Sequence, residues 1–327
     1  MFNLSRENTG NIAKWWRNVD RQILFSFILL FLLGLFFSFS STSSLVGEKL
    51  NKETYYLFAK HFIFVFISLF LLIFISIQDK NKIIKLLVPF FIISTFFLFL
   101  VPLVGVEVKG SKRWMDLPFL PRFQPVEIVK PLFIIFVAKI IILDIKTNIY
   151  RRYLYSFLIL LFILIFLINQ PDLGQALLIS SVWITMIFVS GFNMIVLFIL
   201  GLIFFFFLAL LVFLFPEKFG YVFFRIKTFI DPKTGDNFQS QKALDAIKQG
   251  GLTGRGMGEG LLKDKVPEAH TDYIIAVISE EFGAIFVLFI VIIFLFIGYK
   301  VFSKVFLEQD EFIKLVLVGL VSLLIIQ

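Results

Sequence analysis

Nine stretches of this chain, 22–42, 57–78, 83–104, 125–144, 153–169, 174–191, 193–215, 273–299 and 311–327, are long and predominantly apolar. About 20 such residues cross the hydrocarbon core of a bilayer as a helix. Backbone polar groups inside lipid must be satisfied within the segment itself, which leaves the helix as the form these stretches can take. The fold class is therefore all-α, a polytopic helical membrane protein. We expect residues 1–327 to form a single transmembrane domain, in which 216–271 is one large polar loop between the seventh and eighth spans. The first apolar run, from Ile23, is too long for a cleavable signal peptide and is expected to remain as the first span.

Composition narrows the function classes. The chain is 59% hydrophobic, with a mean hydropathy of +0.95. Its 47 phenylalanines lie mostly in the apolar runs and read as lipid-facing bulk rather than a cofactor pocket. The absence of cysteine excludes disulfides and thiolate metal sites. Two histidines far apart, His61 and His270, do not suggest a zinc site. The net charge of +8 reflects a positive-inside bias and contact with membrane lipid, not nucleic acid.

Lys and Arg near the span ends set the orientation. Arg6, Lys14, Arg17 and Arg21 place the N-terminus in the cytoplasm, and Lys80, Lys82, Lys146, Arg151, Arg152, Lys300 and Lys304 agree with that alternation. Residues 105–124 and 216–271 then face outward, although both carry cations. In the short segment these are Lys109, Lys112, Arg113 and Arg122, which suit either headgroups or an anionic lipid-linked diphosphate.

Chemistry-bearing residues gather on that outer side. Asp272 starts the eighth span two residues after His270, and Glu280 and Glu281 follow. A helix-start aspartate is commonly a cap. Carboxylates at a membrane edge are also functional candidates, and apolar surroundings shift carboxyl groups toward the range a general base needs. Glu280 and Glu281 are adjacent and point to different faces, so at least one must meet a protein interior or a wet cavity. Glu127 and Lys130 share a face in the first turn of the fourth span, either as a local ion pair or as a held lysine that meets diphosphate. Pro171-Asp172-Leu173-Gly174 reads as turn chemistry. Residues 239–249 suit a short amphipathic helix with Ser240, Ala243, Leu244 and Ile247 on one face, stopped by Gly250-Gly251. Gly250 to Gly260 is either a flexible loop or a cradle whose N–H groups, with Arg255, gather phosphate oxygens.

In order, these pieces resemble the SEDS family (shape, elongation, division and sporulation), which includes FtsW and RodA. The matching runs are Lys109 to Trp114, Phe123 to Lys130, Gln170 to Gly174, Arg225 to Pro232, Ala246 to Gly258, and Pro267 to Tyr273 continuing to Gly283. Pro267-Glu268-Ala269-His270-Thr271-Asp272 is closer to FtsW than to RodA. The chain has Lys60-His61 where the family's second span often has Arg-Gln.

The resemblance implies a ten-span bundle. This chain stops within an apolar run at Gln327, so the last span is expected to be missing. It also implies a peptidoglycan glycosyltransferase that polymerises lipid II at the outer face of the bacterial cytoplasmic membrane during cell division. The implied partners are a class B penicillin-binding protein transpeptidase and other divisome membrane proteins. The family's essential acidic residue falls on Asp272. Lys112, Arg113, Glu127, Lys130, Arg255 and His270 are the expected substrate-binding residues, with Mg²⁺ or Mn²⁺ as a conceivable metal. A lipid II flippase and a non-catalytic division scaffold are the competing readings.

Overall fold

The computed structural model describes residues 10–41, 56–108, 111–118, 121–142, 148–214, 220, 238–261 and 273–327. His270, Asp272, Lys109 and most of the large loop lie outside the described residues. Among the described residues the helices are α1 (Asn11–Asn18), α2 (Arg21–Ser41), α3 (Tyr56–Ile77), α4 (Lys80–Val104), α5 (Pro125–Ile142), α6 (Ile149–Asn169), α7 (Leu173–Val189), α8 (Met194–Leu214), α9 (Phe238–Gly250), α10 (Ile274–Leu307) and α11 (Glu311–Ile326). Each expected span has its helix. By length and apolarity α2, α3, α4, α6 and α10 suffice to cross a bilayer. At 17 and 16 residues, α7 and α11 are short, and α5 carries Glu127, Lys130 and Lys139. This is a multi-pass membrane protein.

The expected single domain packs as two compact units, each discontinuous in sequence. One is Met1–Ile77 with Leu202–Ile297, and the other is Gln78–Gly201 with Gly298–Gln327. In the first, α2 packs on α3, and α1 lies against α3. Phe62, Phe66, Phe70 and Phe74 line one face of α3 at four-residue spacing, each more than half exposed. A soluble protein would bury such a stripe; in lipid it is the expected outer surface.

In the second unit α4 packs on α5, α5 on α6, α6 on α7, and α11 on α5 and α7. Phe133, Val137, Ile163, Leu167, Val182, Met186 and Val318 are fully buried there. One feature departs from all-α. Val106–Val108 (β1) and Ser111–Trp114 (β2) form an antiparallel pair with Glu107 opposite Lys112. A bridge between Met115 and Phe123 then leads the chain into α5. Strands of three and four residues are too short for an alternating pattern to show in sequence.

The start of α11 shows how local polar chemistry fixes a helix end. Asp310 accepts from the Phe312 and Ile313 N–H groups at 3.0 and 3.2 Å, and it pairs with Lys80. The Lys80 hydrogen bond, aided by the capped N–H groups, holds the Asp310 carboxyl below its usual range. Its contribution is therefore present above the ordinary Asp value and fades as pH falls toward the depressed one. We expect Asp310→Ala to cost about 0.5–2 kcal/mol, the worth of a cap. Asp310→Asn keeps the cap and removes an exposed ion pair worth about 0–1 kcal/mol. Thermal unfolding of the purified variants in detergent checks the difference.

Candidate active site

Residues on both sides of the Asp272 segment are fixed by one short piece of α10. That helix is broken at Gly283, whose φ of 83° and ψ of 171° belong to a region essentially restricted to glycine. The break frees carbonyls before it and N–H groups after it, and such groups cannot be left bare at membrane depth. The Gly-rich segment supplies the missing partners. The Arg255 and Gly256 N–H groups donate to the Glu280 and Glu281 carbonyls at 3.0 and 2.9 Å. The Ala284 and Ile285 N–H groups donate to the Gly251 and Leu252 carbonyls at 2.9 and 3.3 Å. For the N–H groups of Arg255 and Gly256 this use replaces the expected phosphate cradle. The N–H groups of Gly254, Arg255 and Gly256 all bond within the chain, while the Arg255 residue itself stays exposed.

Both acidic residues before the break are buried, Glu280 at 0% and Glu281 at 1% exposure. Glu280 Oε1 accepts from the Leu261 N–H at 2.7 Å, and Glu281 Oε2 accepts from the Ser40 hydroxyl. Phe36 and Phe37 of α2 pack tilted and edge-on against Phe282, with ring centroids 5.4 and 5.3 Å away. On the other side, Tyr273 packs on Ala243, Ala246, Ala276 and Val277. Leu261 and Tyr273, which flank segment 262–272, thus both hang on the half-helix 274–282. Beside the break lies a cavity of about 340 Å³, lined by Leu252, Thr253, Gly256, Met257, Glu281 and Phe282 among others.

α9 has the expected range, and its small residues are the ones that pack on protein. Ala243, Ala246 and Gly250 are buried, while Leu244 and Ile247 are 54% and 39% exposed. Small residues win because the approach to α10 is close. A Cβ on Gly250 would strike the Ser279 carbonyl. Leu244 and Ile247, on the face expected at the membrane interface, are left uncovered by protein.

The second unit assembles the other expected residues. Arg113 lies 3.7 Å from Asp172 and donates to the Gln170 and Pro171 carbonyls. The side-chain amide of Gln170 donates to the Leu98 carbonyl at 3.0 Å. The hairpin is thereby pinned to the α6–α7 turn and to α4. Lys112 stands exposed opposite Glu107. Lys130 is 1% exposed, and its ammonium reaches Glu127 at 2.8 Å, Gln175 at 3.0 Å and Gln327 at 3.2 Å. Those acceptors match its three donors. Gln175 closes the ring by donating to Glu127 at 3.1 Å. Of the two sequence readings, the local Glu127–Lys130 ion pair is present. A cavity of about 380 Å³ adjoins it, lined by Asp172, Gln175, Ser181 and Gln327 among others. Asp172, read from sequence as turn chemistry, is a buried ion-pair partner. Spacing alone could not reveal this, because Arg113 is 59 positions away.

Burial pushes the Asp172 carboxyl up from its usual value, and the Arg113 guanidinium opposes that only in part. The folded protein therefore holds this proton more tightly than the unfolded chain. Stability should fall as pH rises from the ordinary Asp value of about 4 through the raised one, then level off. Asp172→Asn should lose that component. Melting curves of both proteins between pH 4 and 7 test the sign: a wild-type curve parallel to the Asn variant's contradicts it.

Among the described residues no three His, Asp or Glu side chains gather to hold a metal ion.

The family model described as FtsW/RodA/SpoVE cell cycle protein matches residues 20–327. The chain belongs to this family. Among its SEDS relatives is the probable peptidoglycan glycosyltransferase FtsW of Haemophilus ducreyi. It is 31% identical over 287 residues, covering 86% of this chain and 71% of that protein. The FtsW of Caulobacter vibrioides is 28% identical over 317 residues, covering 97% and 80%. These relatives bear out the closeness to FtsW. The fold is also that of solved SEDS proteins. RodA of Thermus thermophilus matches with a TM-score of 0.65 at 22% identity, over 94% of this chain and 82% of that one. A chain from a peptidoglycan synthase complex that coordinates polymerisation and crosslinking matches with a TM-score of 0.73 at 20% identity, over 94% and 84%.

Proposed function

We propose that this chain is a peptidoglycan glycosyltransferase that polymerises lipid II at the outer face of the bacterial cytoplasmic membrane during division. Membership of a family whose relatives are named for that activity carries the reading. The anchoring of Leu261 and Tyr273 on one half-helix supports it, because a reacting carboxylate needs a fixed mount. The N-terminus is cytoplasmic by the Lys and Arg bias, and segment 262–272 faces outward.

Asp272 is the general base. It accepts the proton of a GlcNAc 4-hydroxyl as that oxygen attacks the anomeric carbon of a second lipid II. The bond from that carbon to the diphosphate oxygen breaks, and undecaprenyl diphosphate leaves with the electron pair. A single displacement turns the α-linked donor into a β-1,4 product. Negative charge grows on the leaving group, and we assign Lys112, Arg113, Lys130 and Arg255 to its stabilisation, with Glu127 orienting Lys130 and His270 binding substrate. Lys130 would exchange one of its present acceptors for a phosphate oxygen. The partner is a class B penicillin-binding protein transpeptidase, with other divisome membrane proteins. The likeness to a chain from a peptidoglycan synthase complex supports this.

The break in α10 lends some weight to a lipid II flippase, since transporters use discontinuous helices at their sites. Here, however, the carbonyls and N–H groups at the break are taken up by the Gly-rich segment, so they are not free to hold an ion or a substrate. Purified protein with its transpeptidase, given labelled lipid II, separates the readings. Glycan strands support the transferase. Lipid movement across vesicles without strands supports the flippase, and neither activity supports a scaffold.

A further inference from the structure

α1 takes no part in the function proposed above. Its eight residues sort cleanly around the helix: Ile12, Trp15 and Trp16 share one face, and Lys14, Arg17 and Asn18 the other. Val19 is extended, and Asp20 then starts α2 by accepting from the Gln22 and Ile23 N–H groups at 2.9 and 3.1 Å. The chain thus interrupts its helix between α1 and the first span instead of extending that span. Three contacts fix α1 at this end of the α2–α3 pair. The Trp15 indole N–H donates to the Ser76 hydroxyl at 2.8 Å, near the last turn of α3. The Arg21 guanidinium sits 5.0 Å over the Trp16 ring, which also meets Phe25 edge-on at 6.4 Å.

We infer that α1 is an interfacial binding site for anionic phospholipid headgroups. Ala13 is buried while Ile12 remains 49% exposed, so the apolar face is only partly covered by protein. Paired tryptophans at the mouth of a spanning helix belong to the membrane–water boundary. The helix itself carries two cations, Lys14 and Arg17, and no acid. Its charge is complementary to phosphate headgroups, and its apolar edge to the acyl boundary beneath them. A soluble acidic partner would match only the first of these. The inference rests on the orientation proposed above only for which leaflet is bound.

The test uses full-length protein reconstituted in vesicles of phosphatidylcholine and phosphatidylglycerol, then extracted, with bound lipids counted by native mass spectrometry. The wild type should retain phosphatidylglycerol in excess of its share. The double variant Lys14→Gln, Arg17→Gln should lower that preference about fivefold per cation removed, with melting and glycan polymerisation unchanged. Equal preference in the two proteins would overturn the inference. So would binding of a soluble acidic peptide without any lipid preference. The chain has no cysteine, so Gly10→Cys is a unique handle for a membrane-impermeant maleimide. Labelling from outside would overturn the orientation, while the lipid count in these symmetric vesicles would still decide the site.

Discussion

Replacing Asp272 with Asn should slow glycan polymerisation by about 10²–10⁴-fold, the usual cost of losing a positioned base. Asparagine keeps the size and the capping oxygen of aspartate, so a helix-start role survives the change. Proton acceptance does not. A cap lost to Ala would lower stability by about 0.5–2 kcal/mol and leave turnover of the folded fraction intact. The two substitutions together therefore separate the roles. If Asp272 is the base, both variants lose turnover and Asn melts like the wild type. If it is only a cap, Asn is active and Ala is merely less stable. Lipid II turnover per folded molecule, read beside the melting temperature, gives the answer.

Gly283→Ala should produce the largest structural defect. A side chain at φ 83°, ψ 171° strains the backbone by about 1–3 kcal/mol. An added Cβ would also strike the Leu252 carbonyl and crowd the Gly254 N–H. Relief requires the Gly-rich segment to move away, which breaks the bonds from Arg255, Gly256, Ala284 and Ile285. Glu280 would then lose Leu261 as well. We expect the variant to melt at a markedly lower temperature and to lose polymerisation. Ala at Gly258, where φ is also positive at 84° and a Cβ meets nothing, is the control without collision. If both alanines behave alike, steric closure at the break is not what holds this region.

The spans were legible because lipid imposes length and apolarity on each helix independently of its neighbours. The α9 range was legible for a similar local reason, with Gly250-Gly251 as its stop. Its packed face was not, because close approach selected Ala243, Ala246 and Gly250 over the larger apolar residues. The requirement that Glu280 or Glu281 be buried followed from charge in lipid, and both turned out to be. Their partners, Leu261 and Ser40, lie 19 and 241 positions away and leave no local trace. The Gly-rich run read as either a flexible loop or a phosphate cradle, because glycine serves any close backbone approach. The structural use of the run depends on Gly283, a glycine inside an apolar helix, whose signal is clear only beside the segment that fills it. Arg113 and Asp172 were each visible as charges, and only the fold pairs them.

Vesicles with lipid II confined to one leaflet, protein inserted in one orientation, and the transpeptidase present show on which side the reaction runs. Strands should grow from lipid II on the side carrying residues 262–272, and Asp272→Asn should stop them. Strands formed only from the opposite leaflet, or formed at the wild-type rate by a folded Asp272→Asn protein, would contradict it.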